Sequence, residues 1–165
     1  MLSTLRFVHV FALAVFLGGG VLLFAAVAPG AFASLPTPAL AGRVVAHALR
    51  FLDTFVLVAT PVLLAIAVFD ERARGSTTRL RVVRGALLVF PFVAAAVSRF
   101  VLVPKMDALR ALPSYPGSEA APWLGRADFG MLHGVASSLA LAALLAAAAA
   151  LYLAVRARPA SRDLS

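Results

Sequence analysis

Long runs of apolar residues dominate this chain, and short polar stretches separate them. Four of the runs have about 20 residues, the length that a helix needs to cross the hydrocarbon core of a bilayer at about 1.5 Å per residue. They occupy residues 7–28, 51–69, 85–103 and 129–155. The pattern therefore predicts an all-α fold, an integral membrane bundle of four transmembrane helices. In this prediction residues 1–165 form a single domain, and 156–165 form a short polar tail.

The polar stretch after the first run contains its own helical pattern. Pro29 and Pro36 should end the first helix, and Pro38 permits a new helix to start. Polar residues then recur at spacings that place them on one helical face, namely Arg43, His47, Arg50 and Thr54. Two structures fit this pattern: a short interfacial helix after the first span, or a second span that begins outside the membrane. We expect the interfacial helix.

The distribution of basic residues predicts the orientation of the bundle. Nine of the 15 lie near the two ends of the chain and in the connection between the second and third runs, namely Arg6, Arg72, Arg74, Arg79, Arg81, Arg84, Arg156, Arg158 and Arg162. The other six basic residues lie in or beside the remaining two connections, where four acidic residues offset them, namely Asp53, Asp107, Glu119 and Asp128. By the positive-inside rule, both termini and the polar tail should be cytoplasmic, and residues 29–50 and 104–128 should face outward. We expect a multi-pass protein of the cell membrane, either an inner or a plasma membrane.

The composition agrees with a lipid environment. Hydrophobic residues make up 62% of the chain and charged residues 13%, with a mean hydropathy of +0.98. Soluble domains are about half apolar and about a quarter charged. The net charge of +8 comes from clusters at the ends of spans, which is typical of topology signals and headgroup contacts rather than of nucleic-acid binding. The expected partner is the bilayer. Without cysteine, disulfides and thiolate chemistry are excluded.

A few ionisable residues lie within or beside the apolar runs, where charge is costly and often functional. Asp53, Arg99 and His133 share one layer near the outward ends of their spans, and His47 approaches that layer from outside. His9 should lie roughly 20 Å deeper by helix rise, so it cannot bind the same metal ion as His133. The depths predict an outer polar binding site formed by His133, Asp53 and Arg99, with His47 at its mouth.

The same residues also fit a purely structural interpretation. Arg99 would neutralise Asp53, and His133 would bond to a backbone carbonyl or to Ser137 one turn away. The histidines lack the close spacing of a metal motif, so the sequence requires no cofactor. Haem or a metal ion bound by His47 and His133 stays an alternative.

Small residues mark expected contacts between helices. Gly18–Gly20 lies in the middle of the first span, and Gly130 and Gly134 form a GxxxG pair on the fourth. Such pairs let helix backbones approach closely. We expect the GxxxG pair to contact a neighbouring helix of the same bundle, with a homo-oligomer as the alternative.

The order of several short motifs resembles the transmembrane protein 205-like family. The motifs are HVFALAVFLGG from His9, VAP from Val27, AGRVV from Ala41, RFVLVP from Arg99 and FGMLHG from Phe129. The resemblance implies a four-helix multi-pass membrane protein from a family that is largely of unknown function. Its eukaryotic members are associated with platinum-drug resistance, which implies export or trafficking. The positions that the resemblance singles out are His9, Pro29, Pro104 and His133.

No motif in the sequence indicates a reaction. The nucleophile elbow of hydrolases and the phosphate-binding loop of nucleotide-binding proteins are both missing. We therefore expect a non-enzymatic protein that binds or moves a small solute, a cation or a lipid at the outer polar site. One alternative is an accessory subunit of a larger membrane complex. Another is a haem- or metal-dependent membrane redox protein.

Overall fold

The computed structural model describes residues 2–74, 78–110 and 126–156, and the outward loop and the polar tail predicted above lie largely outside these ranges. The described residues form six α-helices and two π-helical turns. In chain order they are α1 (Leu2–Leu22), π1 (Leu23–Val27), α2 (Ala28–Ser34), α3 (Pro38–Arg74), α4 (Thr78–Val97), π2 (Ser98–Leu102), α5 (Val103–Arg110) and α6 (Arg126–Arg156). The predicted all-α fold is confirmed.

Four continuous helical segments are long and apolar enough to cross a membrane. They are Thr4–Ser34, Pro38–Phe69, Arg81–Arg110 and Asp128–Arg156. Each has 29 to 32 residues and is therefore about 45 Å long, against about 30 Å for a hydrocarbon core. The helical segments are longer than the predicted apolar runs because polar residues that flank each run are also helical. The prediction of a multi-pass membrane protein with four spans is confirmed.

The second span differs from the expectation at its start. Helix α3 runs without interruption from Pro38 to Arg74, so the prediction of a separate interfacial helix is wrong and the extended second span is correct. The Leu40 N–H donates to Thr37 Oγ1 at 3.3 Å, which caps the new helix, and Pro38 suits its first turn. The next interior proline is Pro61, so no residue forces a break where the helix enters the membrane.

The four spans form a closed ring. Helix α3 packs against α1 and α4, and α6 packs against the same two helices from the other side. The core consists of apolar side chains from all four spans, including Leu13, Phe16, Val56, Leu63, Leu88, Leu144 and Ala147. A cavity of about 20 Å³ in this core, lined by Phe16, Thr60 and Pro91 among others, has room for about one water molecule.

The two halves of the chain repeat one order of elements. In each half a long helix leads into a π turn and a short helix, and a second long helix returns. The π turns end two residues before Pro29 and Pro104, and the residue before each proline donates its N–H to the carbonyl five residues back. Proline has no N–H and its ring collides with the preceding turn of an α-helix. The wider π turn relieves that collision and leaves at least one carbonyl without an intrahelical donor.

The sequence predicted close helix contacts at two glycine sites. The prediction is confirmed at Gly20 on α1 and is wrong for the GxxxG pair on α6. A methyl group added at Gly20 would overlap the side chain of Leu144, whereas nothing lies within 4 Å of that position at Gly130 or Gly134. Both of these glycines are exposed. The reason is that α6 already presents a stripe of small residues to the bundle, including the buried Ala143 and Ala147, and the GxxxG pair lies on another face.

Candidate functional site

The bundle has two ends, which we name by what they contain. The terminal end holds the start of α1 and the end of α6. The distal end holds π1, π2, α5 and the start of α6. By the positive-inside rule the terminal end should be cytoplasmic and the distal end outward. The predicted site residues apart from His9 lie toward the distal end.

Asp53 of α3 faces π2 at the distal end. Ser98 Oγ donates a hydrogen bond of 2.9 Å to Asp53 Oδ2, and Arg99 interacts electrostatically with the same carboxylate. All three side chains are half-buried. Ser98 is therefore the direct hydrogen-bond partner of Asp53, and Arg99 acts on the carboxylate through its charge. Ser98 was not among the predicted site residues, although a serine beside an intramembrane arginine, at the depth of Asp53, was a usable signal.

A second carboxylate lies closer to the distal surface. Asp107 of α5 accepts hydrogen bonds from Arg50 Nη2 at 2.5 Å and from Arg110 Nη1 at 3.0 Å. Thr54 Oγ1 donates to the Arg50 carbonyl at 2.7 Å. The side chains of Arg50 and Asp107 are 38% and 43% exposed, yet Arg50 Nε is buried and finds no acceptor within residues 2–74, 78–110 and 126–156. These ion pairs were not predicted, because Arg50 had been assigned only to a polar helix face.

His133 joins this group through an aromatic ring. The Arg110 guanidinium lies 5.0 Å from the centroid of the Phe129 ring, and that ring is nearly parallel to the His133 imidazole at 6.1 Å. His133 is exposed, and His47 is exposed one turn before Arg50 on α3. We call the set Arg50, Asp53, Ser98, Arg99, Asp107 and Arg110 the distal cluster. Phe129 connects His133 to it, and His47 lies beside it.

Helix lengths give the depth of the distal cluster. From Leu153, near the terminal end, to His133 is about 20 residues, or roughly 30 Å. This equals one hydrocarbon thickness, so Leu153 and His133 can lie at opposite interfaces. Asp53 lies one turn closer to the middle of the bundle than Arg50 along α3, a difference of roughly 5 Å. The Arg50–Asp107 ion pair is therefore the outer part of the cluster, and Asp53 is the inner part.

The charges of the distal cluster favour one kind of ligand. Three arginines (Arg50, Arg99 and Arg110) face two carboxylates (Asp53 and Asp107), which leaves one positive charge in excess. Both carboxylates are engaged by donors. A guanidinium presents its N–H groups in a planar fork that matches carboxylates and phosphates. The cluster is therefore suited to an anion.

The described residues do not assemble a set of ligands for the alternative, a metal or haem site. Within residues 2–74, 78–110 and 126–156, no group of three or more His, Asp or Glu side chains is close enough to hold a metal ion. His9 lies near the start of α1 and His133 near the start of α6, at opposite ends of the bundle. His47 and His133 lie on α3 and α6, two helices that do not neighbour each other in the ring.

Four apolar spans with polar groups at their ends define a multi-pass integral membrane protein. The chain belongs to the family described as Domain of unknown function (DUF4149), which matches residues 11–112. The match includes every residue of the distal cluster and ends before α6. No curated protein and no solved structure matches the chain.

Proposed function

We propose that this chain is a non-enzymatic membrane protein that binds an anionic group, a phosphate or a carboxylate, at the distal cluster. The observation that carries the proposal is the Nε–H of Arg50, which is buried and has no acceptor among the described residues, in a cluster where arginines outnumber carboxylates. An unpaired buried donor costs about 1–3 kcal/mol, and an anionic ligand would remove that cost.

A cation is a poorer fit than an anion. Asp107 is bound by two arginines, and Asp53 by a hydroxyl and a nearby arginine. A cation would have to displace one of these donors. An anion instead completes the hydrogen bonds of Arg50 and offsets the excess charge of the cluster.

The surroundings of the distal cluster suit a ligand that arrives from the interface or from the lipid. The outer faces of the spans are apolar, and the core cavity has room for only about one water molecule. Of the four positions at which the chain resembles the transmembrane protein 205-like family, Pro29, Pro104 and His133 lie at this end and His9 lies at the other. The anionic group can belong to a small solute or to an amphiphile such as a lipid.

Calorimetric titration of the protein in phosphatidylcholine nanodiscs tests the proposal. The probes are inorganic phosphate, dihexanoyl phosphatidic acid and, as a zwitterionic control, dihexanoyl phosphatidylcholine. Arg50→Gln should weaken binding of the anionic probe about tenfold or more, since a charge-assisted bond contributes about 1.5–3 kcal/mol. Arg43→Gln, on the same helix and exposed, is the matched control.

The arms of this experiment separate the two sources of the anion. Binding of inorganic phosphate identifies a solute site, and binding of the anionic lipid alone identifies an amphiphile site. Equal binding of all three probes, or an equal loss in the Arg43→Gln and Arg50→Gln variants, would contradict the proposal.

A second candidate function is that of a subunit in a homo-oligomer or a larger membrane complex. The exposed face of α6 favours it, because Gly130 and Gly134 have no neighbour within 4 Å of their missing side chains and small residues permit close helix approach. Gly134→Leu should then reduce association in single-molecule photobleaching, while Gly18→Leu on the outer face of α1 should not. Equal association of both variants would argue against this function.

A further inference from the structure

A separate set of arginines occupies the terminal end of the bundle. Arg6 Nη2 donates to the carbonyls of Ala154 and Val155 at 3.0 and 2.9 Å, and Arg84 Nη2 donates to the Leu153 carbonyl at 3.4 Å. The last carbonyls of a helix have no intrahelical donors. Two guanidinium groups, one from α1 and one from α4, therefore meet within a single turn at the end of α6.

A third arginine is the next residue along α6. Arg156 follows the capped carbonyls directly, is exposed, and lies 4.7 Å from the centroid of the Tyr152 ring. On α1 the rings of Phe7 and Phe11 stack at 5.8 Å just inside Arg6, and both face outward. The end of the bundle thus combines three positive charges with an apolar aromatic surface that starts one residue away.

Among the side chains that the structure describes, the charge of this set is only partly compensated by its contacts. The distal arginines bind a carboxylate, whereas Arg6 and Arg84 bind carbonyl oxygens and Arg156 lies over a ring. The end of a helix carries about half a negative charge, against three positive ones. Arg84 Nε is also buried, and no described residue accepts a hydrogen bond from it.

Depth identifies what can approach these groups. Leu153 and His133 are separated by about one hydrocarbon thickness, so the two ends of the bundle can reach opposite interfaces, with the three arginines near the lipid phosphates of the terminal side. We propose that Arg6, Arg84 and Arg156 bind the phosphate of one anionic phospholipid, and that its acyl chain lies along Phe7 and Phe11. The site is independent of the distal cluster. It would bind this lipid in the leaflet that the arginine distribution predicts to be cytoplasmic.

Native mass spectrometry can test this site on the full chain. The protein is reconstituted into vesicles of equal phosphatidylglycerol and phosphatidylcholine, extracted, and analysed for retained lipid in an Arg50→Gln background, which removes the distal cluster's contribution. One phosphatidylglycerol should be retained in preference to phosphatidylcholine. Arg84→Gln and Arg156→Gln should each lower this preference about tenfold, the effect of losing a charge-assisted contact, and Arg43→Gln should leave it unchanged.

Arg156→Gln protects the test against misfolding, because Arg156 contributes no capping bond to the carbonyls that Arg6 and Arg84 hold. Release of the lipid by inorganic phosphate, but not by chloride at equal ionic strength, would identify the phosphate as the recognised group. Equal retention of the two lipids would show that the arginines only cap α6, as would an unchanged preference in both arginine variants. Either result would overturn the proposal.

Discussion

At the residue scale, the acidic groups of the distal cluster are held by more than one partner. Asp53 has Ser98 and Arg99, and Asp107 has Arg50 and Arg110. Counting helix positions predicted that Asp53 and Arg99 share a depth, because depth follows from the rise per residue. It did not predict Ser98 or the Asp107 pairs, because the direction of a side chain around its helix depends on the packing and on the π turns.

The bond between Asp53 and Ser98 can be measured by a double-mutant cycle. Asp53→Asn should lower the free energy of unfolding less in a Ser98→Ala background than in the wild type, with a coupling of about 1 kcal/mol. The same cycle with Arg99→Leu in place of Ser98→Ala reports the electrostatic interaction between Asp53 and Arg99. Unfolding in mixed micelles provides the measurement. Strictly additive losses in both cycles would show that the three side chains do not interact.

Two glycines on α1 provide a matched pair of positions to test the packing of α1 against α6. Gly18 has nothing within 4 Å of its missing side chain, whereas a methyl group at Gly20 meets Leu144. Gly18→Ala should raise stability by up to about 1 kcal/mol through helix propensity. Gly20→Ala should lower it by about 1–3 kcal/mol through overpacking. Thermal unfolding followed by size-exclusion chromatography compares them, and equal shifts would mean that α1 does not pack on α6 as described.

At the scale of elements, apolar run length predicted the number and type of the spans, because only helices of that length satisfy the backbone in lipid. The run lengths did not predict the π turns. Those turns depend on where a proline ring meets the preceding turn, and Pro61 and Pro91 lie in α-helix without any π turn. The uninterrupted α3 was only one of the two structures that the pattern after Pro38 allowed, because run length does not tell whether a helix continues beyond its apolar part.

The π turn before Pro104 should position Ser98. Pro104→Ala restores an N–H and removes the ring collision, so π2 can relax to α-helix. A π turn contains one residue more than an α turn. Its relaxation to α-helix therefore rotates the preceding helix by about 100°, which would turn Ser98 away from Asp53. We expect Pro104→Ala to lower stability and to abolish the coupling between Asp53 and Ser98. Pro61→Ala, a proline without a π turn, should leave the coupling intact, and intact coupling in both variants would assign Ser98's position to packing alone.

At the scale of the whole molecule, the bundle carries polar groups at two levels separated by about one hydrocarbon thickness. The terminal end holds arginines that cap α6, and the distal end holds the mixed cluster. The positive-inside rule predicts which level faces the cytoplasm, because it depends only on the arginine distribution.

Cysteine labelling tests this orientation with little background, because the chain has no cysteine of its own. Ser76→Cys, Ser118→Cys and Ser165→Cys place one thiol in the second connection, one in the third and one in the tail. A membrane-impermeant maleimide should label residue 118 in intact cells, and residues 76 and 165 only after permeabilisation. The reverse pattern would mean that the termini face outward.

The central claim, that the distal cluster binds an anion through Arg50, is tested most directly by a distance. Magic-angle-spinning NMR can measure ³¹P–¹⁵N distances in bilayers between arginine Nε and either a phospholipid phosphate or inorganic phosphate. Comparison with the Arg50→Gln variant assigns the Arg50 signal. We predict a phosphorus atom about 4 Å from Arg50 Nε, the separation expected for a direct charge-assisted hydrogen bond. The claim would be contradicted if the wild type showed no short ³¹P–¹⁵N distance. It would also be contradicted if every short distance persisted in the Arg50→Gln variant.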